Sequence, residues 1–264
     1  MPNIVKRLVV LAIPVLAFVL PCPAFAEDDS RLAQRIDAFL SAAEPHHFSG
    51  AVLVAKGDEV LLSRGYGYAD YEAGVKVSPE TVFNIGSVTK QFTAAAILKL
   101  VEQDKLHLGD TLGDLFDDTP KDKAGITVHQ LLTHTGGISR QDLGFRYDEA
   151  SKEDFLTAFF ASTLATEPGT RHEYANTGYT LLAAIVEQTS GQPFEDYLQQ
   201  HLLEPAGLSQ TGYLQPDWRA DRIANGYYFD LETATWKSWG TTFRQWGNGP
   251  VTWFGIGKGD LHST

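Results

Sequence analysis

Gly57-Asp58 lies between two β-rich runs, Gly50 to Lys56 and Glu59 to Gly67, and this pair suits the positive φ angles of a tight hairpin turn. A two-stranded hairpin is marginal in water by itself, so the rest of the chain must cover it. What the rest offers is mainly helix. Leu32, Ile36, Phe39 and Leu40 recur at helical spacing, and Pro45 closes that segment. Val88, Phe92, Ala95, Ala96, Leu100 and Val101 fit one face of a second helix that ends between Gln103 and Gly109. Val128 to Leu132, Lys152 to Ser162, Tyr179 to Thr189 and Phe194 to Leu203 read as further helices between Gly- and Pro-marked loops. The fold class read from these periods is α+β, without internal repeats. From Tyr213 onward the pattern changes: 11 of 52 residues are aromatic, all five Trp among them. Such rings can line a cleft or pack long loops onto a core, and the pattern alone leaves both readings open.

Residues 1–26 read as a secretory signal. Lys6 and Arg7 give a positive start, Leu8 to Leu20 an apolar stretch too short to span a bilayer, and Ala24-Phe25-Ala26 a cleavage site. Cleavage after Ala26 removes Cys22, so the exported chain, periplasmic or secreted, is held together by core burial and not by disulfides. One domain is expected from residue 27 to 264. Its apolar content, 43% of the chain, is too high for disorder. The net charge of -12 falls to -14 without Lys6 and Arg7, which leaves 19 basic against 33 acidic residues. That balance argues against nucleic acid as a partner and for a small molecule or peptide. Nothing after the signal reads as a membrane span.

The chemistry concentrates where the second helix begins. In Ser87-Val88-Thr89-Lys90, residues three apart share a helix face, with Cβ atoms roughly 5–6 Å apart, so hydroxyl and amine can meet. A serine hydroxyl becomes a good nucleophile only when a base takes its proton. The first N–H groups of a helix have no partner inside it, so the N–H of Ser87 can stabilise an oxyanion formed by attack of its own side chain. Gly86 leaves room for substrate. The alternative for Ser-x-x-Lys is a capping serine with an exposed lysine. A second feature weighs against that: Tyr174-Ala175-Asn176 sits between Pro168-Gly169 and a new helix, where a phenol and an amide can point into a cleft. A phenol beside an ammonium can shuttle a proton between Ser87 and a leaving group.

With these residues in view, the sequence resembles the serine β-lactamase-related hydrolases, which include class C β-lactamases, penicillin-binding DD-peptidases, and related esterases and D-aminopeptidases. The resemblance rests on Phe83-Asn84-Ile85-Gly86-Ser87-Val88-Thr89-Lys90, Leu131-Leu132-Thr133-His134-Thr135-Gly136-Gly137, Pro168-Gly169, Tyr174-Ala175-Asn176 and Glu204-Pro205-Ala206-Gly207-Leu208. It implies Ser87 as acylated nucleophile, Lys90 as its activating partner, Tyr174 as general base and later acid, and Asn176 as a substrate contact, with no cofactor or metal. It implies an antiparallel sheet flanked by helices beside a mostly helical region. The substrate would be a β-lactam, a D-alanyl peptide or an ester. His134 would shape the turn after a short helix.

One departure matters. The family's third motif, a Lys- or His-led triplet ending in Gly, is expected after Tyr174 and none occurs there; Lys123-Ala124-Gly125, His107-Leu108-Gly109 and His134-Thr135-Gly136 all lie upstream and are read as decoys. The ending Gly257 to Thr264 resembles the loop-to-helix segment that precedes that last strand. The expectation is therefore a chain that stops short of its C-terminal strands, leaving the hairpin with an unpaired edge and the oxyanion hole without a second donor, at a cost of roughly 10²- to 10³-fold in rate. A non-catalytic relative that binds peptidoglycan or another partner through the same cleft is the rival reading. A metal hydrolase is disfavoured, because His46-His47 and the other histidines lack His-Glu-x-x-His or comparable spacing. A Gly-x-Ser-x-Gly elbow is also absent.

Overall fold

The protein is described here by a computed structural model, which describes residues 29–140, 143, 151–213, 218–240, 252–253 and 255–264. The signal segment, Cys22 and the cleavage site lie outside the described residues.

Helix α1 (Asp29–Ala43) leads into the hairpin β1 (Gly50–Lys56) and β2 (Glu59–Tyr66), paired antiparallel from Gly50↔Tyr66 to Lys56↔Glu59 with a bulge between Val54 and Ala55. Gly57 at the turn has the expected positive φ, +59°, whereas Asp58 does not, so only the first residue of the pair is left-handed and the glycine alone supplies the special geometry. Among the described residues β1 and β2 pair only with each other. Helix α1 is pinned to the hairpin by charge: Lys56 Nζ donates to Asp29 at 2.9 Å, and Arg64 Nη1 and Tyr66 OH donate to Asp37 at 2.7 and 2.8 Å. Phe39 does not share the packed face read for it from the sequence and is 74% exposed.

After the short strands β3 (Tyr68–Asp70), β4 (Val75–Lys76) and β5 (Phe83–Asn84), a 3₁₀ turn over Gly86–Val88 runs directly into α2 (Thr89–Glu102). Its buried face is Thr89, Lys90, Thr93, Ala96, Ile97 and Leu100, displaced from the apolar stripe read in the sequence. Lys90 and Thr93 are turned inward because they have polar partners there, described below. The helical region continues with α3 (Leu112–Leu115), α4 (Val128–Leu132) and α5 (Lys152–Ala161). Each opens with a reciprocal capping box, Thr111 with Asp114, Thr127 with Gln130 and Ser151 with Asp154, so that orphan N–H groups of the first turn are satisfied.

Helix α6 (Asn176–Ser190) is the core of the molecule. Residues Thr177 to Val186 are all buried, as expected of a helix apolar on every side and surrounded by others. It packs against α2, α4, α5 and the following α7 (Phe194–Leu198), which passes into a π turn at Gln199–Leu203. The strand β6 (Thr211–Gly212) follows. The aromatic-rich tail then forms a second antiparallel hairpin, β7 (Gly226–Asp230) and β8 (Thr235–Gly240), an element that its sequence pattern does not indicate. Its turn depends on Asp230, whose Oδ1 accepts the N–H groups of Glu232 and Thr233, and on Ala234 in a left-handed conformation. Finally β9 (His262–Ser263) inserts between β5 and β6, pairing Phe83↔Ser263 and Thr211↔Ser263.

Candidate active site

Ser87 sits within the 3₁₀ turn that starts the helical run, and Lys90 one turn later faces the same way. Lys90 Nζ donates to Ser87 Oγ at 3.2 Å, to Asn176 Oδ1 at 3.0 Å and to the Lys258 carbonyl at 2.5 Å. Three acceptors match the three hydrogens of an ammonium group, which explains how a lysine only 6% exposed keeps its charge satisfied. Ser87 Oγ lies 2.8 Å from the Tyr174 hydroxyl oxygen. The Lys90 ammonium stands 4.9 Å from the centroid of the Tyr174 ring and 5.6 Å from that of Tyr179. The four side chains singled out in the sequence, Ser87, Lys90, Tyr174 and Asn176, therefore meet in one place.

Local structure explains the placement. Asn176 is the first residue of α6, and Tyr174 lies in the loop just before it, so both hang from the N-terminal end of the most buried helix. Gly86 adopts φ +51°, and its N–H is held by Asn84 Oδ1 at 2.7 Å. A side chain there would be strained even though the space is open. Ser87 and Tyr174 are exposed while Lys90 is buried, so the nucleophile faces solvent and the cation is shielded behind it.

Three contributors were not legible in the sequence. The first is the segment Ile256 to Leu261, which forms the wall behind Lys90. Thr93 Oγ1 donates to the Gly257 carbonyl at 2.7 Å, Thr180 Oγ1 to the Ile256 carbonyl at 3.1 Å, and Leu261 N–H to Thr89 Oγ1 at 3.2 Å. Gly257 lies so close to α6 that a Cβ would meet the Tyr179 carbonyl oxygen at 2.5 Å, so the recurring glycines of this stretch were the available signal. The second is Asp260, which accepts from Asn84 Nδ2 at 2.8 Å and so braces the residue that holds Gly86. Burial pushes its carboxyl above the usual range, and the Asn84 bond and Lys258 offset part of that.

The third is the His134 ring. As read from the sequence, His134 shapes the turn after α4, with φ +56°. In addition its Nδ1 accepts the Ala175 N–H at 3.3 Å, its carbonyl accepts the Glu173 N–H at 2.8 Å, and its ring lies 4.6 Å from that of Tyr174. Burial, then the charge of Lys90, then His172, hold its imidazole below the usual range. The other two triplets are remote in character. Lys123 is buried, with its ammonium on Asp122 and the Ser162 carbonyl, and His107 is exposed beside Asp110. Among the described residues no group of three or more His, Cys, Asp or Glu is arranged to hold a metal ion.

The family model described as Beta-lactamase matches residues 32–264. The chain is 33% identical over 204 residues to the protein flp of Staphylococcus aureus, a match covering 74% of this chain and 41% of that protein. It thus spans less than half the length of that curated relative. Among solved structures, the penicillin binding protein from Bacillus halodurans superposes with a TM-score of 0.70 at 30% identity, over 84% of this chain and 68% of that one. The D-amino acid amidase from Ochrobactrum anthropi, complexed with L-phenylalanine, superposes with a TM-score of 0.73 at 25% identity, over 90% and 66%.

Proposed function

The chain belongs to the Beta-lactamase family, and from that premise we propose that it is a serine hydrolase that forms an acyl-enzyme at Ser87. The observation that carries this reading is the position of Ser87 Oγ, 2.8 Å from a phenol oxygen and 3.2 Å from an ammonium nitrogen. Because Lys90 spends its three N–H bonds on Ser87, Asn176 and Lys258, it acts as a fixed cation, and Tyr174 is the group that accepts the proton.

In the proposed step, Tyr174 reacts as its phenolate beside the Lys90 ammonium: an electron pair of Ser87 Oγ bonds to the substrate carbonyl carbon while the Ser87 proton passes to the Tyr174 oxygen and leaves it a neutral phenol. The carbonyl pair moves onto its oxygen, beside the Ser87 N–H at the positive end of the helical run. Collapse breaks the bond to the leaving nitrogen or oxygen, which takes the proton from Tyr174. Water then repeats the sequence on the acyl-enzyme. Asn176 orients Lys90 and a substrate amide together. The substrate class is an amide, β-lactam, D-amino-acid peptide or ester, and the pattern of residues 1–26 supports action outside the cytoplasm. No described helix is long and apolar enough to cross a membrane.

Steady-state hydrolysis of a chromogenic β-lactam, a p-nitrophenyl ester and a D-amino acid anilide tests the reading. At least one should be turned over, with Ser87→Ala lowering kcat by about 10⁴-fold and Tyr174→Phe by about 10²- to 10⁴-fold. Turnover that survives Ser87→Ala would contradict it.

A further inference from the structure

A cavity of about 370 Å³ lies between the β3–β4 turn and the tail hairpin β7–β8, and none of Ser87, Lys90, Tyr174 or Asn176 lines it. Its size is within the range of small-molecule sites. Its walls are mostly rings brought from five places in the chain: His47 after α1, Tyr68 on β3, Tyr71 in the β3–β4 turn, Phe83 on β5, and Tyr227 and Trp236 on the tail hairpin. The one carboxylate among the lining residues is Glu72, and no Lys or Arg lines the space.

The rings are held in place. His47 and Trp236 stand 5.0 Å apart between centroids, as do Tyr68 and Tyr71, and Tyr227 meets Tyr71 edge-on at 5.2 Å. The Tyr71 N–H donates to Tyr227 OH at 2.8 Å, and that hydroxyl donates in turn to Glu72. Asn225, also lining the cavity, fixes the start of the tail hairpin by donating from Nδ2 to Asp70 Oδ2 at 2.7 Å and from its N–H to the Ala69 carbonyl at 2.8 Å. A polar lattice thus sets the ring faces while the walls remain apolar.

Ring faces carry negative electrostatic potential, and a carboxylate beside them adds a full charge, so the complementary ligand is a cation with alkyl bulk. One of the lining rings already displays that attraction: the Lys76 ammonium stands 3.7 Å from the centroid of Tyr68. The net charge of -12 favours the approach of a cation further. We propose that this cavity binds a small organic cation, an alkylammonium or quaternary ammonium, with its charge over the rings beside Glu72 and its alkyl groups against the apolar walls. The site is independent of acyl transfer at Ser87.

Isothermal titration of the whole protein with choline and with its neutral isostere 3,3-dimethylbutan-1-ol tests this. Choline should bind saturably and about tenfold or more tighter than the alcohol. Trp236→Leu should weaken choline by about tenfold, and Glu72→Gln, at an exposed position where the amide oxygen can still accept the Tyr227 hydroxyl, by severalfold. Ser87→Ala should leave choline affinity unchanged, which separates this site from the acylation site. Equal binding of choline and the alcohol, the absence of saturable choline binding, affinity that survives both cavity substitutions, or affinity lost in Ser87→Ala would each overturn the proposal.

Discussion

Tyr174 is positioned from behind by His134, which accepts the neighbouring Ala175 N–H through Nδ1 and lays its ring against the phenol. Only a neutral imidazole can accept at Nδ1, and burial with nearby Lys90 and His172 favours that neutral form. The folded-state pKa is depressed, so the neutral ring persists below the ordinary imidazole value, and the arrangement is lost only as pH falls through the lower folded-state value. His134→Phe keeps a ring and removes the acceptor; kcat for a reporter ester should fall roughly tenfold with KM little changed, in line with one lost hydrogen bond. Its pH–rate profile should lack the acid limb that His134 protonation gives the wild type. An unchanged kcat and profile would remove His134 from the account. At this scale, Ser87 and Lys90 were legible because one turn of helix joins them. The ring contacts of His134 and the carbonyl of Lys258 were not, because these contacts span 41 and 168 residues and exist only once loops have folded across the core.

The elements that carry the site are short and pinned by one another. The strands β5, β9 and β6 bring the tail segment beside Ser87, with the Ile85 N–H on the Leu261 carbonyl at 2.9 Å and His262 in the middle strand 1% exposed. Burial pushes the His262 imidazole down to about 4, against the Asp260 carbonyl bond that raises it. In the unfolded chain the same group titrates near 6.5, so the unfolded state binds the extra proton first, and stability is intact above about pH 6.5 and lost progressively toward pH 4. Urea unfolding at pH 7 and pH 5 should differ by about 2 kcal/mol, a difference that His262→Gln should largely abolish. Asp260, with its pKa raised by burial, works in the opposite sense, which makes the His262 variant the informative comparison. Equal pH dependence in both proteins would exclude His262 as the cause.

Element legibility followed the same logic. The Gly57-Asp58 hairpin and the helices α4 and α5 were readable from turn residues and period, whereas β7 and β8 were hidden because aromatics such as Tyr228, Phe229, Trp236 and Trp239 remain exposed and blur the in–out alternation of a strand.

Across the whole molecule, stability rests on α6 and the helices around it, while the first hairpin contributes exposed apolar side chains such as Leu53 and Val60. The α+β class and the helical core were legible from periodicity, but the centrality of α6 arises from packing on several sides and no local pattern encodes it. Leu182, fully buried on α6, should cost about 2–5 kcal/mol when changed to Ala, with a matching fall in Tm and little loss of activity per folded molecule at 25 °C. A Tm unchanged by that substitution would shift the core elsewhere. The proposed chemistry requires that Ser87 Oγ be the atom that is acylated. Intact-protein and peptide mass spectrometry after exposure to a fluorophosphonate probe tests that most directly. A single adduct on Ser87, slowed in Tyr174→Phe and absent in Ser87→Ala, is the predicted result; no adduct, or one on another residue that persists in Ser87→Ala, would contradict it.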